Sequence, residues 1–353
     1  MADEIIFERT GEWGVVTLNR PDALNALTPD MIAAFFARLA EWERHPSVRA
    51  VLVKGAGERA FCAGADIRKL HDEGKKDPRQ TSEFFRHEYR LNAAIHHLAK
   101  PCVAIIDGVT MGGGVGLSVH GDFRVAGDKT LFAMPETAIG LFPDVGGGYF
   151  LPRLHDGLGL YYGLTGARAK AADCMAAGIA THYAPSARMD DLVGALLESP
   201  LASHAHADIE KMLDEFSGDP GEAHVNQIRP ALKRIFTGHR TFDDFWRALN
   251  DNSHDVAGDM RRILARMSPT SIRITFEQLR RGDGLDFDAV MKMEFRIARR
   301  IMDGHDFYEG VRAQIIDKDK APMWSPASVE GVDDAEVEKY FAPLGPDEEL
   351  SLP

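Results

Sequence analysis

Two segments of the chain, Ala50-Val51-Leu52-Val53 and Cys102-Val103-Ala104-Ile105-Ile106, are apolar at every position rather than at alternate ones. A strand with one wet face alternates. A strand that is apolar throughout is covered on both faces, which is the situation of a parallel sheet flanked by helices. Helical patterns surround both runs. Thr28 is a good N-cap and Pro29 suits the first turn of a helix running to about Arg44, and Glu83 to Lys100 has helical spacing ahead of the second run. Further strands are expected at Trp13–Leu18, which ends in the turn Asn19-Arg20-Pro21-Asp22, and near Phe123–Ala126 and Leu131–Phe132; a short helix is expected from Gly112 to His120. These elements predict an α/β core over residues 1–200. From there the character changes: Ala207–Phe216, Gln227–Phe236, Phe242–Asn250, Val256–Arg266, Ser271–Arg280 and Phe287–Met302 all read as helical, which predicts an α-helical region over 201–353 packed on the core.

A length of 353 residues suggests two domains, or one large unit with an appendage. The formal charge of −13 argues against nucleic acid as a partner, because phosphate binding needs a basic footprint. The charge is uneven: residues 261–300 hold 10 Lys/Arg against 5 Asp/Glu, and residues 331–353 hold 1 against 7. Solvated helix faces and a binding role are both open readings of the basic stretch. No membrane association is expected, since the apolar run Pro101 to His120 is broken by Asp107 and by glycines. Cys62, Cys102 and Cys174 form no Cys-x-x-Cys pair, which fits a reducing compartment, and Met-Ala-Asp-Glu does not begin a secretory signal. A cytoplasmic location is the expectation.

Four local features carry chemical information. Phe61-Cys62-Ala63-Gly64-Ala65-Asp66-Ile67 follows a strand, and its small residues fit either a tight turn or a backbone that a ligand approaches closely. Met111-Gly112-Gly113-Gly114-Val115-Gly116 opens a helix with unpaired N–H donors, which suits an anion or a developing oxyanion. It matches neither a dinucleotide fingerprint nor a Walker loop, and in Gly116-Leu117-Ser118-Val119-His120 the serine would lie inside the helix, unexposed. In Pro135-Glu136 through Pro143-Asp144-Val145, two carboxylates eight residues apart stand among apolar and glycine neighbours. Desolvation there would raise a carboxyl pKa toward general acid or base duty, although Asp144 could instead cap a helix starting near Val145. Glu88 falls on the apolar stripe Phe84, Leu91, Ile95, Leu98, where a carboxylate is paired, neutral or facing a cavity. His96-His97 and His204-Ala205-His206 lack partners at ligand spacing and read as surface helix residues, so no metal is expected. Two backbone donors and three carboxylates around one pocket would serve a reaction that passes through an enolate or tetrahedral oxyanion of an acyl group.

With these residues in view, the chain resembles the crotonase (enoyl-CoA hydratase/isomerase) superfamily along nearly its whole length. The resemblance is carried by Asn19-Arg20-Pro21, Leu24-Asn25-Ala26-Leu27, Phe61 to Asp66 and Gly112-Gly113-Gly114. It implies a ββα-superhelix core. It also implies an oxyanion hole from the N–H groups of Ala65 and Gly113, and a CoA path lined by Asn25, Ala26 and Ala63 to Ile67, including Asp66. Hydratases of that superfamily carry one catalytic Glu at the position of Glu136 and a second where this chain has Gly116, so water addition to a double bond is disfavoured. Met111 to Gly121, Phe132 to Tyr149, Ser268-Pro269-Thr270-Ser271, Gly310 to Ala313, Asp317 to Lys320 and Trp324 are instead similar to the 3-hydroxyisobutyryl-CoA hydrolase family. That family places substrate contacts at Glu88, Gly113, Glu136 and Asp144. The implied activity is hydrolysis of 3-hydroxyisobutyryl-CoA in valine breakdown. Glu136 and Asp144 would be the catalytic carboxylates, CoA would enter as part of the substrate, and no cofactor would be needed. The alternatives are a hydratase or isomerase working with Glu136 alone, and a non-catalytic acyl-CoA binding protein. Arg68, Lys69 and the basic stretch 261–300 are candidate phosphate donors. Relatives in the superfamily often form trimers or hexamers, so a homo-oligomer is one expectation; a helical region that covers those surfaces is the other.

Overall fold

A computed structural model of the chain describes residues 3–201 and 204–353; Met1 and Ala2 of the N-terminal segment, and Ala202 and Ser203 at the expected start of the helical region, lie outside the described residues. The strands in chain order are β1 (Ile5–Thr10), β2 (Trp13–Leu18), β3 (Ala50–Gly55), β4 (Ala60–Cys62), β5 (Cys102–Ile105), β6 (Val109–Met111), β7 (Phe123–Ala126), β8 (Leu131–Ala133), β9 (Ala169–Lys170) and β10 (His182–Tyr183). They form two sheets. The six-stranded sheet runs β1-β2-β3-β5-β7-β10, parallel except for the β1–β2 hairpin, with Val51 opposite Cys102 and Val103 opposite Phe123. The four-stranded sheet runs β4-β6-β8-β9, parallel except at β9. The chain therefore advances by repeats: β3 then β4, β5 then β6, β7 then β8, each laying one strand in the large sheet and a short one in the small sheet.

The all-apolar strands have the predicted cause. Val51, Val53 and Ala104 face one cluster of buried side chains, and Ala50, Leu52, Val103 and Ile105 face another on the opposite side of the sheet. The second cluster is completed by Leu192 and Leu196 of the helix Met189–Glu198 and by Ile209 and Leu213 of the helix Ala205–Phe216. Helix α1 (Pro29–Arg44) begins at the Thr28 cap, whose side chain accepts from Met31 N. Helix α2 (Ile67–Gly74) is capped by Asp66. Helix α3 (Pro78–His96) starts and stops earlier than its hydrophobic spacing suggested, because Asp77 caps it and Pro78 occupies the first turn. The glycine segment yields only a four-residue helix, Gly113–Gly116, followed by turns to His120.

After β10 the described residues form helices and connecting segments, with no further strand. The first large cluster runs from Val16 through Leu279 and Phe295 to Leu350, so the helices beyond residue 200 share a core with the sheets. The basic and acidic stretches meet each other. Arg273 pairs with Asp243 and Asp334, Arg281 with Glu277 and Glu338, and Arg296 with Glu349. Three of the ten basic residues of 261–300 are thereby paired within the molecule rather than held out for a ligand.

Candidate active site

The turn at Ala63 to Asp66 is stitched to the segment after β2. Ala63 N donates to Leu24 O, Leu27 N to Gly64 O and Asp66 N to Leu27 O, at 3.0, 2.8 and 3.1 Å. This alternation skips Ala65, whose N–H has no acceptor in the described chain. The same is true of Gly113, the first residue of its short helix, where the N–H has no preceding carbonyl to reach. The two donors are neighbours: a Cβ added at Gly113 would lie 3.6 Å from Ala65 N, and one added at Gly64 would lie 3.2 Å from Gly113 N. The φ of Gly64, +96°, turns the chain here as an L side chain would not. Two free N–H groups at this spacing form a receptor for one oxygen.

They open into a cavity of about 290 Å³, lined by Ala63, Ala65, Ile67, Phe85, Ile139 and Leu141 among others, with Glu88, Glu136 and Asp144 as its acidic groups. All three carboxylates are buried, at 1 %, 4 % and 4 % exposure. Glu88 comes from α3 and touches the Gly113 side of the donor pair, since a Cβ at Gly113 would collide with its Oε1. Glu136, on a single turn of 3-10 helix, lies against the other side: a Cβ at Gly112 would be 3.4 Å from its Oε1. Glu88 Oε1 and Glu136 Oε2 have no hydrogen-bond partner in the chain. Asp144 accepts from Tyr89 Oη at 2.9 Å. Burial raises all three carboxyl groups. Glu88 and Glu136 stand well above the ordinary range, with the nearby charge of Asp144 adding to the effect, while Asp144 is pushed up to about 7, less far because the Tyr89 hydroxyl supports its charged form.

The segment carrying Glu136 and Asp144 is held from behind by the helical region. Ser268 N donates to Thr137 O at 3.0 Å, and Gly140 and Gly310 admit backbone contacts with Asp306 and Ile139 that no side chain could tolerate. Gln278 Nε2 donates to Pro143 O at 2.7 Å, and Glu294 accepts from Gly146 N and Gly148 N, both at 2.7 Å. Gln314 and Ile315, in the wide helical turn Arg312–Ile316, close the cavity's far side. Arg68 Nη2 donates to Ile315 O at 3.2 Å, and Lys69 lies 3.9 Å from Glu73.

The expected site residues thus come together, with some exceptions. Asn25 does not line the cavity. It is fully buried with φ +56°, and its side chain donates to Ala56 O and Ala60 O and accepts from Arg20 N, so it braces the turn that presents the first donor. Ala26 is also off the lining, its carbonyl taken by Arg20 Nη1. Asp66 points away too, capping α2 and pairing with Arg20 at 3.5 Å. Asp144 is no helix cap, since the helix begins at Gly147 after Gly146. Ser118 Oγ donates to Gly114 O and Val115 O and faces no cavity. His96 is half-buried rather than at the surface, stacked on Phe287 with ring centroids 4.0 Å apart. Sequence reasoning missed Tyr89, Gln278 and Glu294. For Glu294 the signal was present: it lies on the apolar face formed by Val290, Met291, Ile297 and Ile301.

Position 116 has no room for a side chain. A Cβ there would come within 2.7 Å of both Asn92 Nδ2 and Val145 Cβ. The second glutamate of the hydratase arrangement is absent and could not be accommodated without moving α3 or the Asp144 loop.

Comparison with known proteins agrees with this geometry. The enoyl-CoA hydratase/isomerase family profile matches residues 13–341. A zebrafish (Danio rerio) protein named "3-hydroxyisobutyryl-CoA hydrolase, mitochondrial" is 46 % identical over 349 residues, covering 97 % of this chain and 90 % of the relative. The human (Homo sapiens) protein of that name is 44 % identical over 349 residues, with 98 % and 90 % covered. Among solved structures, one described as a carnitinyl-CoA dehydratase from Mycobacterium thermoresistibile superposes with a TM-score of 0.89 at 38 % identity, covering 99 % of this chain and 98 % of that one. Another, described as an enoyl-CoA hydratase from Rhodobacter sphaeroides, gives 0.90 at 36 %, with 99 % and 100 % covered.

Proposed function

The chain belongs to the enoyl-CoA hydratase/isomerase family, and from that premise we propose that it is a thioester hydrolase that cleaves 3-hydroxyisobutyryl-CoA to 3-hydroxyisobutyrate and CoA, a step of valine breakdown. The observation that carries this reading is the pairing of two acceptor-free N–H groups, Ala65 and Gly113, with the buried carboxyls of Glu136 and Asp144, in a chain whose position 116 has no space for a second hydratase glutamate. The thioester carbonyl oxygen would accept from both N–H groups, which are aimed before the reaction and gain strength as that oxygen becomes negative. Glu136 would deliver the attacking oxygen, its own or that of a water it deprotonates; the two routes differ in whether single turnover in H₂¹⁸O labels the enzyme. Asp144 would hold the 3-hydroxyl or assist water and the leaving thiolate. Glu88, alongside Gly113, would support the acyl pocket in its neutral form, because a charged carboxylate there would oppose the oxyanion. No cofactor is needed beyond the CoA of the substrate.

The second reading is water addition or removal at a double bond, which the names of the two similar solved structures favour. Free-thiol release from 3-hydroxyisobutyryl-CoA, run beside hydration of crotonyl-CoA, separates the two. Thiol release with the first and no hydration of the second supports hydrolysis; the reverse overturns it. The cytoplasm is the proposed location, supported by three buried free cysteines; among the described residues, no helix is long and apolar enough to cross a membrane.

A further inference from the structure

The residue that follows Asp144 is in an unfavourable conformation. Val145 is buried and β-branched, yet its φ is +51°. A branched side chain in the left-handed region persists only where its surroundings force it. Those surroundings are specific. His120 Nε2 donates to Val145 O at 2.7 Å, and its ring is braced edge-on by Phe287, centroids 4.7 Å apart. The Glu294 carboxylate takes Gly146 N–H on Oε2 and Gly148 N–H on Oε1, while Gln278 Nε2 bridges Pro143 O and Glu294 Oε1. The peptide groups that bracket Asp144 and Val145 are therefore held by three side chains, none of which lines the cavity. Two of the three belong to the helical region.

We propose that Glu294, together with His120 and Gln278, is a positioning clamp that forces Val145 into its strained conformation and so aims the Asp144 carboxyl into the acyl pocket. The proposal rests on Asp144 having the role given above. Without the clamp, Val145 relaxes to negative φ and the preceding peptide rotates, carrying Asp144 away from Tyr89 and from the cavity. Other titratable groups facing Asp144 are Glu88, Glu136 and Tyr89, and none of them touches the backbone that the clamp holds. Both Glu294 oxygens accept backbone N–H groups, whereas an amide would turn its own NH₂ against one of them; burial pushes the carboxyl up to about 8, and the hydrogen bonds from Gly146, Gly148 and Gln278 work against that rise.

The test compares Glu294→Gln in the native background and in a Val145→Gly background, where glycine adopts positive φ without being forced. In the native background E294Q lowers kcat by roughly 10- to 100-fold with KM changed less than about threefold, the effect of a misplaced rather than a missing catalytic group. The limb of the kcat–pH profile that depends on Asp144 moves to lower pH, as water reaches the carboxyl. In the V145G background the same substitution costs less than about threefold, a coupling expected only of residues acting on one element. Equal losses in both backgrounds, or a loss confined to KM, would overturn the proposal. If E294Q does not fold, His120→Phe takes its place, since it keeps the ring against Phe287 and removes only the bond to Val145 O. Asp144→Asn is the control for the underlying reading. If D144N keeps near-native activity, the role of Asp144 is wrong; the clamp is then judged by amide exchange at Asp144 and Val145, which accelerates in H120F if the clamp exists and is unchanged if it does not.

Discussion

A buried carboxyl that must ionise to work lowers the stability of the fold that holds it, and Asp144 gives this a measurable form. Its pKa rises from 3.8 to about 7, mainly through burial and in spite of the Tyr89 hydroxyl. A folded-state pKa above the unfolded one means that the native state holds the extra proton. Its stabilising contribution is complete below about pH 4, falls as pH rises, and is gone above about pH 7. A rise of this size is worth roughly 4 kcal/mol, of which more than a third has already been lost by pH 5. Asp144→Asn removes the titration but keeps an oxygen for Tyr89. For a chain of 353 residues the unfolding entropy is about 0.7 kcal/mol/K, so each kcal/mol moves Tm by about 1.3 °C. The advantage of D144N over the native protein should therefore be about 3 to 4 °C greater at pH 8 than at pH 5. Thermal melts of both proteins at the two pH values measure it directly, and any fixed packing effect of the substitution cancels in the comparison. A difference that stays constant, or that favours the native protein more at pH 8, would refute the claim that burial dominates at Asp144.

Glu136→Gln should lower thiol release from 3-hydroxyisobutyryl-CoA by roughly 10²–10⁴-fold while leaving the far-ultraviolet circular dichroism unchanged, and near-native turnover would remove Glu136 from the mechanism. Glu88→Gln should cost less than about tenfold, because a neutral amide reproduces the neutral acid beside Gly113; a loss above about 10²-fold would mean that its charge is used. Gly116→Ala should destabilise by about 1–3 kcal/mol in urea, since the new methyl meets Asn92 and Val145. The acid limb of kcat/KM against pH should lie well above the ordinary carboxyl range, because burial raises both Glu136 and Asp144; unit slope means that Glu136 alone must ionise, a slope of two that Asp144 ionises with it, and a limb near pH 4 would refute the raised carboxyls.

The large sheet was legible in the sequence because its strands are long enough to have a pattern. Trp13–Leu18 and Phe123–Ala126 have the predicted bounds, and the apolar runs at 50 and 102 reported a sheet covered on both faces. The second sheet was mostly not legible: β4, β6 and β9, like β10 at the edge of the large sheet, have two or three residues each, too few for any period. Glu88 stood out as a carboxylate on an apolar helix face, and the same test applied to the helix Phe287–Ile301 would have found Glu294. The arginines around it drew attention to charge instead, and three of them, Arg273, Arg281 and Arg296, are answered by the acidic stretch 331–353. Asn25 and Asp66 lie outside the cavity for a physical reason. Both lie next to cavity residues in the chain, but a short polar side chain beside a tight turn is drawn to nearby backbone groups before it reaches a ligand.

The three carboxyls also set a limit on how the site can work. Ala65 and Gly113 offer an oxyanion two N–H dipoles and no full positive charge, and among the described residues no cationic side chain lines the cavity. Were Glu88, Glu136 and Asp144 all ionised, their combined field would oppose the negative charge that develops on the thioester oxygen, and the two donors would not offset it. Desolvation lessens the conflict: it raises all three carboxyls, so the site favours one negative charge at a time, and that charge must be on Glu136 when it attacks or deprotonates water. With a single negative charge in the pocket, attack on the thioester transfers that charge from carboxylate to oxyanion instead of adding a second. Such a transfer requires the carboxyls to be held at fixed distances from one another. That is why the loop bearing Asp144 is fastened at Pro143, Val145, Gly146 and Gly148, and why the helices that fasten it are part of the catalytic unit.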